Sequence, residues 1–166
     1  MNNLFRKTNE KVKDMLNDEI SFLNNVKEKL VDKGIYVPIT ADMLRLILQK
    51  QVNKNDKIYN LEVEIQEGCI RVNGIVKKLL LKIPFALYLE PVKSEKRVLY
   101  FEIKQMRPLN QDWIKIKVLN KPPYLTYTKG SMTLDLNQVK RVNSIPVGTI
   151  QSFKMENNKL LVKIGI

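Results

Sequence analysis

Residues whose side chains could do chemistry are few in this chain. It has no His and a single Cys, Cys69. Without His the usual proton shuttle and the commonest metal ligand are missing, and a lone thiol builds neither a zinc cage nor an internal disulfide. The remaining candidates are carboxylates: Glu62 and Glu64 share one face of a predicted strand, and Glu102 lies in the middle of another. We expect all three to face solvent, and the six glycines form no phosphate-binding loop. The sequence therefore predicts a protein that is not an enzyme and has neither a cofactor nor a metal site.

The chain is basic, with 29 Lys and Arg against 17 Asp and Glu in 166 residues. A net charge of +12 favours an anionic partner such as a membrane surface or a nucleic acid. Of the 29 basic residues 23 are Lys and six are Arg, so bidentate guanidinium contacts to phosphate or guanine are scarce. The excess of positive charge lies in residues 35–166, since residues 1–34 contain seven basic and six acidic side chains.

Residues 3–33 contain neither Gly nor Pro, and their apolar side chains recur at steps of three and four. This spacing predicts an amphipathic helix that ends at Gly34. We expect the helix to pack on the rest of the chain, with a dimerising or partner-docking helix as the alternative. The predicted division is an amphipathic helix over 1–34 and an α+β domain over 35–166.

A second helix is predicted over residues 40–52, with Thr40 as its N-cap and an apolar face at Met43, Leu44, Ile47 and Leu48. From Tyr59 onward the hydrophobic period changes to two, which predicts antiparallel strands. The strands are expected over 59–72, 79–89, 98–106, 113–119, 150–155 and 160–164, while residues 134–142 fit a short helix or a strand over 132–136. The predicted fold is α+β: a long curved antiparallel sheet wrapped on an apolar helix.

The order of these elements resembles a known superfamily. The pattern comprises the Thr-initiated helix Ile39–Leu48, the run Leu-x-Val-x-Ile-x-x-Gly-Cys-Ile-x-Val-x-Gly over 61–74, long meandering strands, and Ile-Pro-Val-Gly-Thr-Ile over 145–150 before the last hairpin. Over residues 38–166 it resembles the single-domain bacterial relatives of the tubular lipid-binding (TULIP-like) superfamily. The resemblance implies a curved sheet that wraps a helix and encloses a channel for acyl chains. Helix 40–52 is shorter than the long helix of such folds, so residues 3–33 are an alternative main helix.

The predicted function is non-enzymatic binding of a lipid or another elongated apolar ligand near an anionic membrane surface. Residues of one parity on the strands and one face of the second helix would surround the ligand: Leu44, Ile47, Leu48, Leu79, Leu81, Ile83, Phe85, Leu87, Leu99, Phe101 and Ile103. Lysines of the opposite parity would face phosphate headgroups: Lys77, Lys78, Lys82, Lys115 and Lys117. The competing interpretation is an ordinary packed core with a solvated basic face.

Two other functions remain open at this stage. In the first, residues 3–33 pair with a second copy or with a partner, and the sheet serves as scaffold. The other is nucleic-acid binding by the mixture of Trp113, Tyr124 and Tyr127 with nearby cations, which we disfavour because no RNP-like or helix-turn-helix motif accompanies it.

The first thirty residues lack an apolar leader, and the longest apolar stretch, 83–89, contains Pro84 and is too short to span a bilayer. We expect the chain as given to be soluble, while its compartment stays undetermined.

Overall fold

A computed structural model describes the backbone of residues 2–32, 34–50 and 57–166, and the side chains of residues 9–25, 28, 34–50 and 57–166. The helices are α1 (Asn2–Asp32), α2 (Ala41–Leu48), α3 (Asp112–Leu119) and α4 (Lys140–Asn143), with a 3-10 turn over Leu136–Gln138. The strands are β1 (Ile35–Thr40), β2 (Ile58–Gln66), β3 (Cys69–Lys78), β4 (Leu81–Glu95), β5 (Val98–Arg107), β6 (Leu125–Thr128), β7 (Ser131–Asp135), β8 (Thr149–Glu156) and β9 (Lys159–Gly165).

The predicted N-terminal helix is confirmed as α1, and Gly34 lies two residues after its last residue, Asp32. Gly34 has a φ of +71°, in the left-handed region that favours glycine. A Cβ at this position would lie 2.9 Å from the backbone oxygen of Ile164. Glycine is therefore needed here both to turn the chain out of the helix and to let it pass close to β9.

The strands form two antiparallel sheets. One has three strands in the order β1-β9-β8, and the other has six in the order β2-β3-β4-β5-β7-β6. Register shifts interrupt β2 near Asn60 and β4 near Leu89 and Val92. Such bulges bend a strand and increase its twist at these points.

Five hairpins with two-residue turns connect these strands. Four of the turns consist of polar residues or glycine: Glu67-Gly68, Lys96-Arg97, Lys129-Gly130 and Asn157-Asn158. The turn between β3 and β4 is Leu79-Leu80 instead.

Helix α2 supplies the apolar element on which the sheet packs. Its N-cap is Thr40, whose Oγ1 accepts a hydrogen bond of 3.2 Å from the Met43 backbone nitrogen. Leu44, Ile47 and Leu48 are buried on one side of the helix and belong to the same core cluster as both sheets. The predicted α+β class, with an antiparallel sheet against an apolar helix behind an amphipathic N-terminal helix, is confirmed. The last part of the predicted helix, residues 51 and 52, lies outside the described residues.

Arg97, in the turn between β4 and β5, ties that turn to the loop before β8. Its guanidinium donates hydrogen bonds to three backbone oxygens: those of Gly148 at 2.8 Å, Ile145 at 2.9 Å and Val142 at 3.1 Å. The geometry matches the planar fork of donors that arginine presents and lysine lacks. A single side chain therefore satisfies three partly buried acceptors in the segment that leads from α4 to β8.

We expect Arg97→Met to lower the free energy of unfolding by about 2–4 kcal/mol, because it leaves these acceptors without their charged donor. Urea denaturation followed by circular dichroism measures the change. The control Arg141→Met, at an exposed residue of α4, should change stability by less than about 0.5 kcal/mol. A loss at residue 97 as small as that of the control would contradict the role assigned to Arg97.

The strand predicted over 113–119 is wrong, because these residues form helix α3. The apolar positions 114, 116 and 118 alternate, as a strand requires, but 114, 118 and 119 also share one helical face, on which they are buried together with Lys115. Asp112 in the first turn and Lys117 in the last turn complement the helix dipole. In so short an apolar run, periodicity alone does not separate the two structures.

The segment over 134–142, for which a helix and a strand both remained open, contains parts of each. Residues Ser131–Asp135 are strand β7, then a 3-10 turn and the four residues of α4 follow. The division of the chain at residue 34 into two units stays a prediction.

Candidate functional site

Nine of the eleven apolar residues predicted to surround a ligand lie in the core or against it. Leu44, Ile47, Leu48, Phe85, Leu87, Leu99 and Phe101 are buried, and Ile83 and Ile103 are partly buried beside them. The structure therefore places helix α2 and the inner face of β4 and β5 together, as predicted from their parity.

The prediction that Leu79 and Leu81 lie among these residues is wrong, because neither belongs to the core. Leu79 is 87% exposed and Leu81 is 67% exposed. The parity argument assumed one strand from residue 79 to residue 89, but β4 begins at Leu81, and Leu79 belongs to the preceding turn. Alternation of side chains between two faces does not continue through a turn.

Between α2 and the sheet the described residues enclose little space. Leu44, Leu48, Phe101 and Met132 are among the residues that line a void of about 10 Å³. A cavity needs roughly 10–15 Å³ to hold one water molecule. An acyl chain enters this region only if α2 separates from the sheet.

The β3–β4 hairpin instead presents an apolar tip to solvent. Leu80 is 93% exposed, more than either of its neighbours Leu79 and Leu81. Three consecutive leucines at the end of a two-stranded projection form an unusual surface, since exposed contiguous apolar patches typically mark interaction sites. We call Leu79, Leu80 and Leu81 the leucine tip.

The backbone at the tip is adapted to glycine and not to leucine. Leu79 has a φ of +57°, whereas Leu80 is not among the residues with positive φ. A two-residue hairpin turn with positive φ only at its first position has the type II′ pattern, in which glycine usually occupies that position. A left-handed conformation costs a residue with a Cβ about 1–2 kcal/mol. The chain thus carries both a conformational cost and a solvation cost to display these side chains.

Four lysines surround the base of the leucine tip. Lys77 and Lys82 are cross-strand partners, and Lys78 pairs with Leu81. Lys117 of α3 joins them, because its Nζ donates a hydrogen bond of 3.3 Å to the Lys77 backbone oxygen. We call Lys77, Lys78, Lys82 and Lys117 the lysine collar.

The only tryptophan of the chain lies beside this collar. The Nζ atom of Lys78 is 4.6 Å from the centroid of the Trp113 ring. Cation–π contacts of this kind hold the ammonium over the ring face. Helix α3 therefore places an amphipathic aromatic side chain next to the leucine tip.

Lys115 does not belong to the collar, and its predicted outward placement is wrong. Its side chain is buried, and its Nζ lies 3.7 Å from Oδ1 of Asp112, three residues earlier on α3. Asp112 also accepts a hydrogen bond of 3.1 Å from the hydroxyl of Tyr127. Partial burial, and then this hydrogen bond, raise the pKa of Tyr127 above its ordinary value of 10.0. These contacts fix α3 against β6, beside the base of the β3–β4 hairpin.

The sequence around the tip contains no acidic residue between Glu67 and Glu90. Within that interval Lys77, Lys78, Lys82 and Arg71 are all positive, so the hairpin is cationic along its length. Sequence reasoning identified all four collar lysines but missed Leu80. The run Lys-Lys-Leu-Leu-Leu-Lys, with no turn-forming residue where a hairpin must turn, was the signal available.

The aromatic and basic residues considered for nucleic-acid binding do not form one open surface. Lys115 and Lys121 are buried, and Tyr124 and Tyr127 pack partly against the core. Trp113 is half-buried beside Lys78. Stacking of bases requires exposed aromatic rings, which this arrangement does not offer.

Helix α1 presents a second apolar surface. Among its described side chains, Val12, Leu16, Ile20 and Phe22 are each at least half exposed, and Met15 is 74% exposed. The expectation that this face packs on the rest of the chain is therefore wrong for residues 9–25. An apolar face left in solvent is typical of a helix that pairs with another surface.

Neither a protein-family model, nor a curated protein, nor a solved structure matches this chain significantly. The TULIP-like resemblance consequently stays a prediction. No helix in the described part of the chain combines the length and apolar character needed to cross a bilayer. Across the same residues, no group of three or more Cys, Asp or Glu side chains is arranged to hold a metal ion.

Proposed function

We propose that this protein binds lipid without catalysing a reaction, at the surface of an anionic membrane, through the leucine tip and the lysine collar. The tip enters the boundary between headgroups and acyl chains, and the collar lies at the level of the lipid phosphates. The observation that carries the proposal is the exposure of Leu79, Leu80 and Leu81 at a turn where every other hairpin of the sheet has polar residues or glycine.

The two parts of the site contribute different energies. Full transfer of a leucine side chain from water to an apolar environment is worth about 1.5–3 kcal/mol. Each lysine near an anionic bilayer adds about 1 kcal/mol, and salt screens this part. Trp113, with its apolar ring and polar nitrogen, suits the interface between them. Together the leucines and lysines supply several kcal/mol, which is enough for reversible binding.

Contact at the membrane surface suits this structure better than an enclosed acyl chain. The void beneath α2 holds about one water molecule, whereas the leucines of the tip are already in solvent. The leucine tip therefore contacts lipid at the membrane surface, and the sheet does not enclose a lipid molecule.

Vesicle co-sedimentation tests the proposal. We expect the protein to bind vesicles of phosphatidylcholine with 30% phosphatidylglycerol at least 100-fold more tightly than vesicles of phosphatidylcholine alone, in about 50 mM salt. At about 500 mM salt, binding to the anionic vesicles should weaken but remain detectable, because burial of leucine does not depend on salt. Equal and weak binding to both vesicle types would contradict the proposal.

A second function is favoured by α1, whose exposed apolar face fits a second copy of the same helix. Residues 6–13 carry four basic side chains and one acidic, whereas residues 14–19 carry three acidic and none basic. In an antiparallel pair the basic segment of each copy lies beside the acidic segment of the other, and the apolar faces meet between them. A dimer of this kind would carry two leucine tips. Its affinity for a membrane would exceed that of the monomer, because both tips bind the same surface.

A further inference from the structure

A recess of about 450 Å³ lies on the outer face of the six-stranded sheet, away from α2. It is lined by polar side chains, Gly74 and Ile75 of β2 and β3, by Pro84, Phe85 and Ala86 of β4, and by Arg107 and Pro108 at the end of β5. The outer face of a sheet is ordinarily covered by side chains, so an open space of this size is unusual.

The bulge in β2 and one small residue create the recess. Residues 60 and 61 lie opposite the single residue Gly74, and Asn60 has a φ of +52°. On the other side lies Ala86, one of only two alanines in the chain. Its methyl side chain leaves open space above β4. Bulges of this kind often occur beside functional sites, where they re-aim side chains.

Arg71 borders the recess with a donor that lacks an acceptor. Its Nε atom is buried and has no hydrogen-bond partner among the described residues. Its guanidinium lies 6.0 Å from the centroid of the Tyr88 ring, which holds it over the sheet without satisfying Nε. A buried donor without an acceptor is uncommon in folded proteins and points to a missing partner.

Arg107 borders the recess from the opposite side. Arg71 pairs with Tyr88 and Arg107 pairs with Ala86, so the two arginines flank β4 on the strands to either side of it. With its amide oxygen turned toward Arg107, Gln105 accepts hydrogen bonds from Nε at 2.7 Å and Nη2 at 2.9 Å. The guanidinium is thereby held in place at the edge of the recess.

Beside Arg71, the wall formed by β2 and β3 contains one carboxylate and two amides. Glu62 accepts a hydrogen bond of 3.2 Å from Nδ2 of Asn73, and Asn60 lies beside them. These groups suit hydroxyl groups of a ligand, since a carboxylate accepts and an amide both donates and accepts. Pro84 and Ala86 offer an apolar floor between the two walls.

We propose that this recess binds a phosphate monoester of a small hydroxyl-bearing molecule. The phosphate lies between Arg71 and Arg107, since guanidinium groups bind phosphate oxygens with paired hydrogen bonds. Hydroxyl groups of the ester face Glu62 and Asn73, and its carbon skeleton rests on Ala86. The ester is either a free metabolite or the headgroup of a phosphorylated lipid, and the site is independent of the leucine tip.

An NMR titration of the full chain with glycerol 3-phosphate tests this proposal. We expect saturable shifts of the Nε–H resonances of Arg71 and Arg107, and none with glycerol. Arg71→Gln and Arg107→Gln should each weaken binding at least tenfold, and so should Ala86→Leu, which fills the recess without removing a charge. Arg141→Gln removes the same charge from exposed α4 and should change the affinity less than twofold. Absence of shifts in the unsubstituted protein, or equal weakening by all four variants, would overturn the proposal.

Vesicles distinguish the two sources of the phosphate. If the ester is a lipid headgroup, the protein prefers phosphatidic acid over phosphatidylglycerol at equal surface charge, and the double variant Arg71→Gln/Arg107→Gln loses that preference. If the ester is a free metabolite, no such preference exists, while the titration with glycerol 3-phosphate still saturates. Substitutions in the leucine tip should leave the titration unchanged under both results, so failure of membrane binding and failure of this site are separable.

Discussion

Replacing Leu79 by Gly and Leu80 by Ser should weaken binding to anionic vesicles about 100-fold without lowering the melting temperature. The loss follows from removing two apolar side chains. When partly inserted in the bilayer, they together contribute roughly 3 kcal/mol to the binding free energy. Leu81 and all four collar lysines remain, so the residual binding should be electrostatic and should vanish at high salt. Vesicle co-sedimentation and a thermal melt of the same preparation measure both quantities.

Stability should stay constant or rise because the new turn suits its backbone. Glycine relieves the strain of the positive φ at residue 79, about 1–2 kcal/mol, and its greater chain entropy in the unfolded state offsets about 0.5–1 kcal/mol of that gain. A substitution that improves the fold while removing a function indicates that the original residues were retained for the function.

A matched control is Leu46→Ser on the exposed side of α2, where the leucine is 58% exposed. It removes a solvent-exposed leucine far from the tip, and vesicle binding should change less than twofold. If the two tip substitutions weaken binding no more than this control does, the leucine tip is not the membrane contact.

Substituting Leu16 and Ile20 of α1 by Glu should abolish self-association of the protein. Both side chains lie on the apolar face and are more than half exposed, and a carboxylate buried between two helices without a partner costs several kcal/mol. We expect the dissociation constant of the dimer to rise more than 100-fold, as measured by sedimentation equilibrium. Circular dichroism should show whether α1 keeps its helical content.

The control places the same two charges on the opposite face of α1. Ser21 and Asn25 lie about 100–180° around the helix axis from Leu16 and Ile20, and Ser21→Glu with Asn25→Glu should leave the dimer intact. A chain that is monomeric before any substitution, at concentrations of about 100 μM, would contradict assembly through α1 directly.

Much of the fold was predictable because long periodic segments carry a strong signal. Neither Gly nor Pro interrupts α1, Thr40 caps α2, and the alternation over 83–89 and 99–103 assigned the inner face of the sheet correctly. In each of these segments local propensity and burial agree, so a single sequence suffices to predict them.

The errors arose where two structures fit the same pattern or where the chain breaks a local rule. Helix α3 has an apolar spacing that also fits a strand, and contacts outside the segment, such as that of Tyr127 with Asp112, select the helix. Leu79 and Leu80 break a local rule, because leucine is not a residue expected in a type II′ turn. The same departure that misled the parity argument is the feature on which the proposed function depends.

The recess and the role of Arg97 were beyond sequence reasoning for another reason. Arg71 and Arg107 are 36 positions apart and come together only through the register of three strands. Arg97 reaches backbone oxygens 45–51 residues away in a loop without periodicity. Contacts of this kind depend on topology, which hydrophobic patterns do not specify.

The depth of residue 80 in a bilayer tests the account most directly. In a Cys69→Ser background, Leu80→Cys and Lys96→Cys each provide one thiol for an NBD label, at opposite ends of β4 and roughly 45–50 Å apart. On vesicles containing phosphatidylglycerol, a label at residue 80 should shift its emission to the blue and be quenched by nitroxide lipids, whereas a label at residue 96 should stay in water. Unchanged emission at residue 80 on vesicles that bind the protein would contradict insertion of the leucine tip.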